Sequence, residues 1–249
     1  MAHMAYKRIV PGADAAVLFI HGIVGTPDHF RVLIPLEQIV PEAWSVCNLL
    51  LPGHGGTAED FGHSSMEEWK SCVRAAFEEL VQTHRQVVIV AHSMGTLFAM
   101  QLAVEYPGKV PLLFLLGVPM RPFVRPHMML DSVRMVYGAL PSGHVLWKAG
   151  SVKLTRRLWT YLSWIPRYLE LFGEIRRTEK LIGKVRVPCI VWQSGKDELV
   201  ANCSRRVLEH NGVENLYHMP ESGHFFYTPQ DQNRICQEFE ARIKKISHD

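Results

Sequence analysis

The sequence predicts an α/β protein: a doubly wound, mostly parallel sheet with an inserted helical cap. Three observations carry this. Short apolar runs recur, each closed by turn residues. Amphipathic helix patterns lie between them. One stretch between two of the runs is far longer than a single crossover needs.

The runs, in order, are Ala15 to Ile20, Trp44 to Leu51, Gln86 to Ala91, Leu112 to Leu116, Cys189 to Trp192 and Glu214 to Met219. They are continuous rather than alternating, and rich in Val, Ile and Leu. That is the pattern of strands covered on both faces, as in a parallel sheet. The clearest helix runs from Ser65 to Thr83. Ser65 stands at its start with Glu68 three residues on, a capping-box spacing, and Trp69, Cys72, Val73, Ala76, Phe77 and Leu80 share one face. A second helix runs from Met94 to Tyr106 and stops at Pro107-Gly108, and a third closes the chain from about Pro229 to Ile246. Strands alternating with helices imply right-handed crossovers, with ligands at the carboxyl ends of the strands.

Residues 121–184 break the rhythm. They are read as a helical cap inserted between core segments 1–120 and 185–249. The insertion holds Trp147, Trp159, Trp164 and Phe172 together with Met128, Met129 and Met135, expected to form the cap's own core and the roof of a site. It carries +8 while the remainder carries −5, giving the net +3 of the 249-residue chain.

Hydrophobic residues at 47% and charged residues at 20% exclude disordered and collagen-like classes. The mild net charge does not call for nucleic acid as a partner. No apolar run reaches the ~20 residues of a membrane-spanning helix, and no secretory leader is evident. Five scattered cysteines without a C-x-x-C pair fit free thiols and a cytoplasmic location. Met1 to His3 read as a cloning remnant ahead of Met4. No histidine pair has metal-ligand spacing, and no phosphate-binding glycine loop occurs, so neither metal nor cofactor is expected. Oligomeric state is left open.

The chemistry concentrates in strand-end turns. Ala91-His92-Ser93-Met94-Gly95 joins a buried strand to a helix, a G-x-S-x-G elbow with alanine in the first small position. Such a turn lifts the serine hydroxyl clear of the sheet and tolerates only small residues two before and two after. The plainer alternative is that Ser93 merely caps the helix. Serine needs a base, and among 13 histidines His224, in Ser222-Gly223-His224 after the last strand, is best placed. His218 lies within that strand, while His21 and His54 sit in glycine turns suited to other roles. Asp197, in Gly195-Lys196-Asp197, is the carboxylate that would fix the histidine tautomer, with Glu198 as the fallback. The order Ser93, Asp197, His224 is that of nucleophile-elbow hydrolases. The backbone N–H groups of Ile23, in His21-Gly22-Ile23-Val24-Gly25, and of Met94 are the natural oxyanion-hole pair.

On these motifs, with Pro52-Gly53-His54-Gly55, the chain resembles α/β-hydrolase-fold serine hydrolases over essentially its whole length. Within that fold it is most similar to small bacterial carboxylesterases and monoacylglycerol lipases. The resemblance implies a serine hydrolase acting on small-molecule carboxylic esters of small to medium acyl chains through an acyl-enzyme. An acyltransferase, a carbon–carbon bond hydrolase or a non-catalytic ligand receptor on the same fold are the alternatives. Two departures stand out: Ala91 replaces the first elbow glycine, and the short amino-terminal hairpin implies fewer strands than the family usually has.

Overall fold

The computed structural model describes residues 3–247. Of the expected cloning remnant, Met1 and Ala2 lie outside them. The sheet has seven strands: β1 (Tyr6–Arg8), β2 (Ala15–Ile20), β3 (Ser45–Asn48), β4 (Gln86–His92), β5 (Leu113–Leu116), β6 (Cys189–Ser194) and β7 (Asn215–Met219). Their spatial order is β1-β3-β2-β4-β5-β6-β7. Every neighbouring pair is parallel except β1 with β3, which is antiparallel. β1 is three residues long and largely exposed. Tyr6-Lys7-Arg8 therefore carries no apolar signal in the sequence and forms only because an edge of β3 is free to pair with it.

β2 shows why the apolar runs are unbroken. Ala16, Leu18 and Ile20 point into one core and Ala15, Val17 and Phe19 into the other. The first core is covered by α2 (Met66–Thr83) and α3 (Met94–Glu105), the second by α8 (Pro229–Ile246) with the short helical turns around Phe30 and Ile39. α3 is apolar all round, and its ten residues Met94 to Ala103 are buried, as a helix at the centre of the molecule must be. α2 begins as the sequence suggests, with the Ser65 hydroxyl accepting from the Glu68 N–H at 3.2 Å. The full reciprocal capping box lies instead at α1 (Ala58–His63), between Thr57 and Asp60.

Residues 121–184 form a helical excursion between β5 and β6, containing α4 (Pro126–Val136), α5 (Leu146–Ala149), a 3₁₀ stretch Leu158–Trp164 and α6 (Ile165–Glu179). Of its four expected aromatic core residues only Trp164 is buried. Its indole N–H donates to the Ala58 carbonyl at 2.8 Å, and its ring stands 4.5 Å from that of Phe61. Trp159, Phe172 and Met129 face solvent. The excursion packs on α1, α2 and α3, and on the turns after β2 and β3, where the Ser151 N–H donates to the Val24 carbonyl at 3.0 Å and the Lys153 N–H to the Gly56 carbonyl at 2.9 Å. α7 (Cys203–His210) completes the crossover to β7.

From β2 the chain crosses to β3 on one side and then to β4 on the other. The turns after β2 and β4 therefore flank the switch point of the sheet, where open α/β sheets bind ligands. These turns hold His21 to Gly25 and Ser93.

Candidate active site

Ser93 follows the last residue of β4 and adopts φ +51°, ψ −125°. It is one of two non-glycine residues with positive φ among the described residues, the other being Val24 at +56°. Such conformations cost about 1–3 kcal/mol and persist only where neighbours over-determine them. Here the Ser93 N–H donates to the Leu116 carbonyl at 2.9 Å, and its own carbonyl accepts from the Thr96 N–H and hydroxyl at 3.0 and 2.6 Å. The hydroxyl makes no capping bond to α3, so the turn geometry is not explained by a cap. The spacing of small residues has a direct cause at Gly95, where a Cβ would stand 2.4 Å from the Ile20 carbonyl oxygen. Ser93 is 7% exposed, a recessed hydroxyl rather than one standing on the surface.

His224 and Asp197 meet, both buried. The His224 Nδ1–H donates to Asp197 Oδ2 at 2.9 Å. The other carboxylate oxygen, Oδ1, accepts from the Leu199 and Val200 N–H groups at 2.8 Å each. These bonds hold the carboxylate in one orientation and leave Nε2 as the open acceptor of the ring. Among the described residues no hydrogen bond joins Ser93 Oγ to the His224 ring. Both groups nonetheless lie at the carboxyl end of β5: Ser93 bonds the Leu116 carbonyl, and a Cβ on Gly117 would lie 3.5 Å from the His224 ring.

Glu198, the fallback carboxylate, has a different position. Its Oε2 accepts the main-chain N–H of His224 at 2.6 Å. The adjacent acids thus hold one histidine at two points, ring and backbone. The excursion reaches the same loop: Arg125 donates its N–H to the Glu198 carbonyl and its Nε–H to the Asp197 carbonyl, both at 2.9 Å.

The turn after β2 packs directly on the serine, since a Cβ at Gly22 would meet Ser93 Cβ at 2.7 Å. His21 donates from Nδ1 to the Gly22 carbonyl at 2.8 Å and accepts the Leu51 N–H on Nε2 at 3.1 Å. His54 donates from Nδ1 to the Pro52 carbonyl and accepts the Val24 N–H on Nε2 at 3.0 Å, which holds Val24 in its strained conformation. The N–H groups of Ile23 and Met94 donate to no backbone or side-chain acceptor among the described residues. For Met94 this follows from its place in the first turn of α3.

Behind His224 lies a set of rings that the sequence reading did not assign. His92 donates from Nε2 to the His224 carbonyl at 3.2 Å and stacks on His29 with centroids 3.8 Å apart. The Tyr227 hydroxyl bridges His29 Nε2 and the His224 carbonyl at 3.2 and 3.4 Å. Burial pushes His21 down to about 4 and His29 to about 3, and holds His54 and His92 well below the usual histidine value. All four are neutral donors and acceptors near pH 7. Their sequence signal was position alone: His92 precedes the serine, and His54 sits in Pro52-Gly53-His54-Gly55.

A family model described as the alpha/beta hydrolase family matches residues 17–235. The chain belongs to that family. This alpha/beta hydrolase is 30% identical over 106 residues to a thermostable monoacylglycerol lipase of Bacillus sp. strain H-257, a match spanning 41% of the chain and 42% of that relative. The chain thus spans less than half the length of that lipase. It is 22% identical over 251 residues to a carboxylesterase of Bacillus subtilis, covering 94% of each. Among solved structures, one from work on LipS and LipT, two metagenome-derived lipolytic enzymes, superposes with a TM-score of 0.73 over 98% of both chains at 18% identity, a likeness of fold.

Proposed function

We propose that this alpha/beta hydrolase cleaves carboxylic esters of small to medium acyl chains, with monoacylglycerols among its candidate substrates, through an acyl-enzyme on Ser93. The observation that carries the reading is the buried His224–Asp197 pair at 2.9 Å, whose carboxylate is fixed by two further N–H bonds, at the strand ends that also hold Ser93 in its forced turn.

In this reading His224 Nε2 takes the proton of Ser93 Oγ as the oxygen attacks the ester carbonyl carbon. The N–H groups of Ile23 and Met94 receive the oxyanion, aided by the N-terminus of α3. Collapse of the tetrahedral intermediate releases the alcohol, which takes the proton back from His224. Water then attacks the acyl-enzyme by the same route. Asp197 holds the Nδ1–H tautomer and stabilises the imidazolium. Residues 121–184 act as a cap on the core formed by 1–120 and 185–249. Lipolytic and esterase names among the relatives support the ester class.

Apolar side chains flank the reacting groups: half-buried Ile23 beside the oxyanion position, and Phe225 with its ring 4.7 Å from that of His224. Each methylene buried against such groups contributes about 0.8 kcal/mol, so four extra carbons favour a medium chain over acetate by about 3 kcal/mol. The test is kcat/KM for p-nitrophenyl esters from acetyl to decanoyl, run beside monoacylglycerols. A maximum above acetyl is expected. A maximum at acetyl removes the medium-chain assignment, and no turnover of any ester removes the function.

A further inference from the structure

The helical run 158–172 carries two apolar stripes where a surface helix ordinarily has one. Thr160, Trp164, Leu171, Ile175 and Thr178 are buried and fall on one side at helical spacing. That side packs on α1 through the 3₁₀ stretch and on α2 and α3 through α6. Leu162, Ile165, Leu169 and Phe172 fall on the opposite side, and all are exposed, Leu162 by 65% and Leu169 by 62%, with Leu158 exposed at the start of the run. Trp159 stands beside them, 70% exposed. Ile165, Leu169 and Phe172 stand at i, i+4 and i+7 of α6 and share one of its faces, and Leu162 precedes Ile165 by one three-residue turn of the 3₁₀ stretch, so these four form a continuous stripe. A contiguous exposed apolar patch of this kind marks an interaction surface.

The charge around the stripe says what covers it. Residues 121–184 hold twelve Lys and Arg against four Asp and Glu. Each of the four acids is already ion-paired: Asp131 with Arg134, Glu170 with Arg167, Glu174 with Lys70 and Glu179 with Arg121. Arg156 and Arg157 immediately before the stripe, and Arg176, Arg177 and Lys180 after it, are exposed and have no acidic partner among the described residues. An apolar face with aromatics, bracketed by unpaired cations, is the composition of a helix that lies in a lipid–water interface. A second copy of the chain would bring two such basic segments together and repel.

We propose that the 158–172 face docks on an anionic lipid surface, with Leu158, Leu162, Ile165, Leu169 and Phe172 entering the acyl boundary and Arg156, Arg157, Arg176 and Arg177 meeting the headgroups. The docking is independent of the Ser93 chemistry, so it is measured on the Ser93→Ala protein, which also leaves the vesicles intact.

The experiment is co-sedimentation with vesicles of phosphatidylcholine alone and of phosphatidylcholine with phosphatidylglycerol, at low and high salt. Strong binding to the anionic vesicles, weak binding to the neutral ones, and loss at high salt are expected. Leu162→Gln with Leu169→Gln, and separately Arg156→Glu with Arg157→Glu, should each weaken binding by about tenfold or more. The same changes in the wild-type background should leave fluorophosphonate labelling of Ser93 and the thermal melt in place, which separates docking from folding. No binding to either vesicle, equal binding to both, or binding indifferent to both double variants overturns the proposal. So does a concentration-dependent dimer in sedimentation velocity that Leu162→Gln dissolves, which would make a second copy the occupant.

Discussion

At the scale of single residues, the neighbouring acids Asp197 and Glu198 divide the work of holding His224. Asp197 fixes the ring and Glu198 fixes the main-chain N–H. Asp197→Asn should lower kcat by on the order of 10⁴, because the amide no longer enforces the Nδ1–H tautomer. Glu198→Gln keeps an oxygen in place to accept the His224 N–H and should retain most activity. Glu198→Ala leaves that N–H without its acceptor and should lower stability by about 1–3 kcal/mol. Steady-state kinetics beside thermal melts separates the two roles. The reverse pattern, with Asp197→Asn active and Glu198→Gln dead, would exchange the two acids.

At the scale of elements, the turns after β2, β3 and β4 are built around histidines that burial keeps neutral. The unfolded chain takes up protons at these positions near 6.5, while the folded chain resists until about 4 at His21 and about 3 at His29. Stability is therefore fully present above about 6.5 and is lost as pH falls from there toward 3–4, at up to about 1.4 kcal/mol per pH unit for each histidine. Urea unfolding across that range should show a steep decline, and His29→Gln should flatten it. A midpoint independent of pH between 6.5 and 4 would contradict the neutral cluster. Most elements were legible in the sequence because burial on both faces leaves unbroken apolar runs, as in β2 and β4. β1 was not, because Tyr6-Lys7-Arg8 pairs through its backbone and buries little. The excursion's helices were legible, but the direction of Trp159 and Phe172 was not, since apolar residues on a second side of the 158–172 run look the same in sequence whether they face a core or solvent.

At the scale of the whole molecule, residues far apart in the chain are brought to one edge because six parallel strands deliver their turns there. Ser93, Asp197 and His224 were legible as residue types in the right order at strand ends. Glu198 was legible as the neighbouring acid but not as the holder of the His224 N–H, and Val24, His92 and Tyr227 were not legible, because these parts depend on contacts between loops: His54 with Val24, His92 and Tyr227 with the His224 carbonyl, Glu198 with the His224 N–H. Activation of one serine, Ser93, out of all those in the chain is the core of the proposed function. Fluorophosphonate labelling followed by peptide mass spectrometry tests it most directly. A single adduct on Ser93, absent from Ser93→Ala and strongly slowed in His224→Ala, is expected. An adduct on another serine, or undiminished labelling in His224→Ala, would contradict it.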